Sequence, residues 1–157
     1  MIERIDRWVQ QVNWLHKEVR QCCSIFEEQF SGYYPPEFLS TAFFVVTDII
    51  PKPDFPELRA LGVGDFLDMD VAGITYNDTY YVKKESVSDL LLHFHELVHV
   101  VQWQELTPPG FIKRYIQEMQ CFGYKKAPLE KMAYELGKEY KKQASGFSVV
   151  KLVQENL

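Results

Sequence analysis

The stretch HFHELVHVVQW, His93 to Trp103, holds three of the chain's four histidines within seven residues, with a glutamate among them and apolar side chains between. Histidine and glutamate are costly in an apolar segment unless an ion or a hydrogen-bond network offsets their burial. Leu90, Phe94, Leu97 and Val101 recur at helical spacing, and the remaining faces are largely apolar too. That pattern predicts a helix buried at the centre of a domain. On such a helix His95 and His99, at i and i+4, lie one above the other and can reach a single metal ion. Glu96 sits about a quarter turn round, able to face a water at that ion without ligating it, as a general base must. His95 to His99 is therefore H-E-x-x-H, a pattern that a shuffled chain of this composition would contain in roughly one case in a hundred. The alternative is a buried helix with hydrogen-bonded histidines. His93, two residues before His95 and nearly on the opposite face, fits that alternative and is expected to be a satisfied core histidine, as is His16.

The rest of the chain predicts the setting of this helix. Ile5, Val9, Val12, Val19, Cys22, Cys23, Phe26 and Phe30 recur at intervals of three and four, which suggests one amphipathic helix over residues 1–30, stopped by SGYYPP. FLSTAFFVVTDII, between Pro36 and Pro51, is β-branched and aromatic and favours a strand. PKPDFPELRALGVGD reads as a loop with one helical turn near Pro56 to Leu61. VAGITYNDTYYVKK suggests a hairpin turning at Asn77-Asp78, completing a sheet region over 38–84. Ser86-Val87-Ser88-Asp89 matches a capping box for the metal helix, expected over 86–106 and ended by TPPG. Further helices are expected at about 109–122 and at 128–145, the latter opened by Pro128 and closed by Gly146. The tail, 147–157, FSVVKLVQENL, has the composition of a strand. The plan is α+β: one domain with a small, mostly antiparallel sheet beside a helical half.

Composition narrows the function. With 157 residues and 46% hydrophobic content the chain can bury one real core and is too short to expect two. Lys+Arg 17 against Asp+Glu 22 gives a net charge of −5, the wrong sign for a nucleic-acid binder, and no basic patch is visible. No run approaches the roughly 18 apolar residues of a membrane span, and MIERIDRWVQ lacks the apolar core of a signal peptide. Three cysteines, two of them adjacent, argue against a disulfide framework. A cytoplasmic protein without nucleic-acid or membrane partners is expected.

A catalytic zinc normally takes three protein ligands and leaves a fourth position for water. No histidine follows His99, and Gln102 and Glu105 stand where a metzincin would carry glycine and histidine. A carboxylate must then serve: Glu105, Glu118, Glu130, Glu135 or Glu139. Glu105 would point away from the His95/His99 face, and Glu118 lies in a polar stretch. Glu130 has the best surroundings, in the first turn of its helix with Ala133 three residues on, where a small side chain lets two helices approach closely. Glu135 is the reserve.

HELVHVVQW, then GFIKRY, then GYKKAPLEKMAYELG resembles the gluzincin zinc metallopeptidases, in which a glutamate on a later helix completes the two histidines. The likeness is greatest to small bacterial gluzincin-like domains, including the metallopeptidase-like domain of contractile injection-system core proteins. Their H-E-x-x-H-V-V-Q and P-L-E-x-x-A patterns are matched by His95 to Gln102 and Pro128 to Ala133, and the resemblance is specific from about Asp68 to Gly137. It implies a minimal zincin binding one zinc ion through His95, His99 and Glu130. It also implies hydrolysis of peptide bonds by zinc-activated water, with Glu96 as general base and a peptide or protein as substrate. After the alanine such domains often carry Asp or Asn, which can support a histidine ligand; this chain has Tyr134 instead. Tyr115, Tyr124 and Tyr134 are all candidates for a second donor to the oxyanion. The hairpin would offer an edge strand to an extended peptide. Two other readings remain open: a zinc-binding scaffold or interaction protein with little turnover, and the protease-like domain of a toxin or injection-system effector. The tail adds a further expectation, that Phe147 to Val153 pairs with the sheet edge or covers the cleft and keeps the protein latent.

Overall fold

The computed structural model describes residues 1–142 and 145–157. Helix α1, Ile2–Leu15, buries Ile5, Val9 and Val12. Its expected continuation to Phe30 does not occur. The His16 ring hydrogen-bonds the carbonyl of Val12 at 2.8 Å, taking up one of the carbonyls that a helix end leaves without a partner. Val19 is exposed, and Gln21–Cys22 (β1) pairs antiparallel with Phe44 and Phe43. Cys23, Phe26 and Phe30 keep helical spacing because a 3₁₀ turn, Cys23–Phe26, and the bend after it pack them into one core. Phe38 and Leu39 belong to a short helix, α2, Pro36–Leu39, so the strand β2 is confined to Phe43–Thr47.

The expected loop after Pro51 is more ordered than composition suggested. Pro56–Leu58 (α3), a single wide turn over Arg59–Val63 and Gly64–Asp68 (α4) form a helical segment kinked at Gly62, whose φ of 90° suits glycine. Arg59 bonds both Asp54 and Asp68, and Lys52 donates to the carbonyls of Phe66 and Leu67 at 3.1 Å each, closing the segment from both ends. The hairpin is as expected: β3, Gly73–Tyr76, and β4, Thr79–Lys83, joined through Asn77 at φ 61°. The sheet order is β1-β2-β4-β3, with β2 and β4 parallel and the other two pairings antiparallel. Strand alternation gives each face its own core. Phe44, Tyr80 and Val82 face one cluster, and Val45, Tyr76 and Tyr81 the other.

Helix α5, Leu90–Phe122, begins one position past Asp89, which is itself the N-cap: its side chain accepts from the amides of Leu91 and Leu92. The capping box beginning at Ser86 is thus displaced, and Lys84–Ser86 forms a 3₁₀ turn instead. Thr107, at φ 63° and ψ 156°, breaks α5 just before Pro108 and Pro109, where TPPG was expected to divide two helices. Helix α6, Pro128–Lys141, is capped by Lys142; the remainder of the expected helix includes residues 143 and 144, which lie outside the described residues.

The tail is not a strand. Val149–Asn156 is helix α7, N-capped by Ser148, which accepts from the amide of Lys151. Val149 and Val153, one helical turn apart, are fully buried beside Phe94 and Val101, and that burial outweighs the β propensity of the sequence. It covers neither the sheet edge nor the metal cleft, so the expectation of a latency strand is overturned. No helix among the described residues is long and apolar enough to cross a membrane.

Replacing Asp89 with Ala removes two hydrogen bonds from the start of α5 and should cost about 1 kcal/mol. A thermal midpoint lowered by about 2–4 °C would be the expected readout; an unchanged midpoint would mean the cap contributes nothing.

Candidate metal centre

From His93 to Trp103 α5 is buried on every side, and His95, Glu96 and His99 are 7%, 3% and 4% exposed. Helix α6 crosses beside it with Ala133 and Gly137 at the contact. Ala133 is fully buried, and a Cβ on Gly137 would stand 3.2 Å from Leu91 Cδ1. Small side chains here let Glu130, 3% exposed in the first turn of α6, reach across to α5. Glu130 Oε1 lies 3.2 Å from His95 Nε2, its Oε2 3.1 Å from His99 Nε2, and the two Nε2 atoms are 3.2 Å apart. Three donors about 2.0–2.1 Å from one tetrahedral zinc stand roughly 3.3–3.4 Å from each other. The two imidazole nitrogens stand close to that spacing, each has a different Glu130 oxygen at a similar distance, and one ligand atom from each of the three residues lies within 4.8 Å of the others. His95, His99 and Glu130 are buried ligating groups that could hold a metal ion.

Of the other carboxylates considered, none joins them. Glu135 and Glu139 are exposed, and Glu105 is exposed and accepts from Gln154. Glu118 works at one remove. Arg114 holds it, and its Oε1 accepts from the amide of Leu129 at 2.8 Å, so it serves the N-terminus of the helix that carries Glu130. His93 is a core histidine, as expected. It bonds the Tyr80 hydroxyl through Nδ1 and the Val87 carbonyl through Nε2, both at 2.7 Å.

Three supporting contacts fix the site, and sequence reasoning missed their roles. Gln102 Oε1 lies 2.7 Å from His99 Nδ1, while its Nε2 donates to the carbonyl of Leu129 at 3.0 Å. One amide thereby sets the orientation of His99 and ties α5 to α6. A glutamine in an otherwise apolar stretch, three residues after a candidate ligand, was the available signal. Tyr115 donates to Glu130 Oε2 at 2.9 Å. Burial, and after it the Glu130 charge, raise the pKa of this phenol well above its usual value, so it remains a donor. Thr75 on β3 donates to Glu96 Oε2 at 2.7 Å. A Cβ on Gly73 would come within 3.0 Å of Glu96 Oε1, so the glycine leaves that oxygen its place.

Electrostatics favours a charged pair in the metal-free site. Burial pushes the Glu130 pKa up, but the facing His99 and His95 outweigh it and hold the carboxyl far below its usual range. Burial likewise works against protonation of His99, yet the Glu130 carboxylate beside it prevails and raises its pKa to about 9. Glu96 shifts the other way from Glu130: burial raises its pKa, only partly offset by His95 and His99.

Two openings meet at the site, both lined by Gly73, Glu96 and Tyr124. One is an apolar cavity of about 80 Å³ beside His99 and Glu130, walled by Val9, Phe66, Trp103 and Ile112 among others. The other is a cleft of about 530 Å³ beside His95, between the chain 69–73, the start of α5 and the flank of α6 that carries Tyr134, Lys138 and Lys141. Tyr134 lines this cleft with its ring centroid 4.5 Å from that of His95, and Tyr124 neighbours it there. Of the three candidate tyrosines, Tyr115 is committed to Glu130, which leaves Tyr124 and Tyr134 on the open side. No protein-family model, curated protein or solved structure matches this chain.

Gln102→Leu should weaken metal binding about 10–100-fold, as loss of a contact orienting a ligand does elsewhere; competition against a chelator measures it, and wild-type affinity would contradict the role given to Gln102. The His99 proton adds a pH dependence. Ligation needs neutral imidazole, and the metal-free protein keeps that proton up to about pH 9. Affinity should therefore rise with pH from about 6 to about 9 and then flatten, whereas a flat profile over that range would show His99 unprotonated throughout.

Proposed function

We propose that this chain is a zinc-dependent metallopeptidase of gluzincin type, hydrolysing peptide bonds in a peptide or protein substrate. The observation that carries this reading is the placing of Glu96: a buried carboxylate beside the His95, His99 and Glu130 group, lining both openings and steadied by Thr75. A structural zinc site uses four protein ligands, whereas three with a cleft alongside leave a position for water or substrate. Zinc bound there would lower the pKa of a water molecule towards about 7 and polarise the scissile carbonyl. Nitrogen and carboxylate donors of this kind suit zinc among the divalent metals.

Glu96 takes the proton as the water oxygen attacks the carbonyl carbon, and delivers it to the amine as the carbon–nitrogen bond breaks. Its raised pKa fits a group that must both accept and release a proton. Thr75 holds one of its oxygens, leaving the other for the transfer. Tyr124 or Tyr134, on the cleft side of His95, would donate to the oxygen that becomes negative. The free edge of β3, carrying Gly73 and Thr75, supports an extended peptide paired by main-chain hydrogen bonds.

Glu96→Gln should retain the metal and the fold and lose peptide hydrolysis by a factor of about 10² or more. Equal cleavage by variant and wild type would assign the activity to a contaminant, and no cleavage by either across a diverse peptide library would favour a metal-binding scaffold. Glu130→Ala should lose most of its metal affinity and Glu135→Ala none; the reverse result would move the third ligand.

A further inference from the structure

The cleft beside His95 is charged in a way the whole chain is not. The protein is acidic, at −5 overall. Its cleft is walled by Tyr134, Gly137, Lys138 and Lys141 of α6, residues that recur at three and four and so share one face of the helix, and by Lys125 from the preceding loop. The two acidic residues at its rim are engaged already. Asp70 pairs with Lys83, and Asp89 caps α5. Lys125, Lys138 and Lys141 are exposed, and none has a carboxylate partner among the described residues, although Lys142 next in sequence pairs with Glu139. Three lysines with no carboxylate partner among the described residues thus line an opening that Glu96 and His95 also line.

We infer that this cleft takes an acidic peptide segment, so that the substrate carries Asp or Glu side chains on the His95 side of the bond to be cut. The inference rests on the reading of the site as a peptidase and adds its substrate class. Like charges held on one wall raise the local concentration of an oppositely charged chain and set the direction in which it lies. The other opening, beside His99, is apolar, so a peptide bound the opposite way would bury its carboxylates there without partners. Charge therefore fixes polarity along the site as well as affinity.

The test uses zinc-loaded Glu96→Gln protein, which should bind without cutting, and three fluorescent peptides identical except for Glu, Gln or Lys at four consecutive positions. Binding by anisotropy should favour the Glu peptide over the Gln peptide by about 10-fold at low salt and by much less at 0.5 M salt. Adding Lys138→Glu and Lys141→Glu should reverse the order, so that the Lys peptide binds best; both side chains are exposed, and Lys125→Glu alone should move the order the same way by a smaller factor. Preference for the Glu peptide that survives the reversals would place its binding elsewhere and overturn the inference, as would equal binding of the three or no binding of any. Charge-dependent binding without cleavage by the wild type would leave the cleft's occupant as inferred and defeat the peptidase reading instead.

Discussion

The carboxylate of Glu130 between His95 and His99 is the interaction on which this structure turns. It is a charge 3% exposed, and an isolated carboxylate in such a place would not remain ionised. Two imidazoles at 3.2 and 3.1 Å and the Tyr115 hydroxyl at 2.9 Å keep it so. Those partners come from both halves of α5, so satisfying one carboxylate fixes how α6 and both halves of α5 lie together. The small side chains at Ala133 and Gly137 follow from the same demand, because a larger residue at either position would hold α6 away. A divalent ion placed among the three groups would replace the His99 proton as the positive charge facing Glu130, and the surrounding packing would serve both states.

Much of this was legible in the residues, for physical reasons that differ from element to element. The first half of α5 could be read because its apolar faces, its histidine spacing and the proline pair behind it all agree. Glu130 could be chosen because Pro128 marks a helix start and Ala133 marks a close contact. The hairpin was carried by Asn77, which accepts the positive φ of a tight turn. Where the reading failed, tertiary contacts had overridden local pattern. The periodicity from Ile5 to Phe30 is real, but pairing of Gln21 and Cys22 with β2 divides it between a helix and a 3₁₀ turn that bury their apolar residues separately. Valines in the tail suggested a strand, yet the single turn between Val149 and Val153 lets both enter the core from a helix. The roles of Tyr115 and Thr75 at the site were not legible, since each depends on a partner 15 or 21 residues away, whereas Gln102 meets His99 three residues earlier on the same helix.

Glu118 shows how a wrong ligand candidate can still be a residue of the site. Sequence spacing cannot distinguish a carboxylate that touches a metal from one that holds the backbone of the segment bearing the ligand. Its bond to the Leu129 amide lies one residue from Glu130 and supplies a partner to a helix start that has no side-chain cap of its own. Arg114 in turn neutralises it at 2.8 Å. Charge at the start of α6 is thereby balanced without drawing on the metal site.

The break at Thr107 brings these groups together. A straight helix of 33 residues would run about 50 Å, while a domain of this length has a radius of gyration of about 15 Å. The far end of a continuous α5 would therefore run out of a globule about 40 Å across, and Tyr115 and Glu118 would be carried away from α6. With Thr107 in a non-helical conformation and Pro108 unable to donate to the turn before it, the chain changes direction and the second half of α5 comes back. Phe111 then stacks on Trp103, ring centroids 4.3 Å apart, and Tyr115 and Glu118 reach Glu130 and Leu129. Two prolines that read only as a stop signal thus decide which side chains surround Glu130.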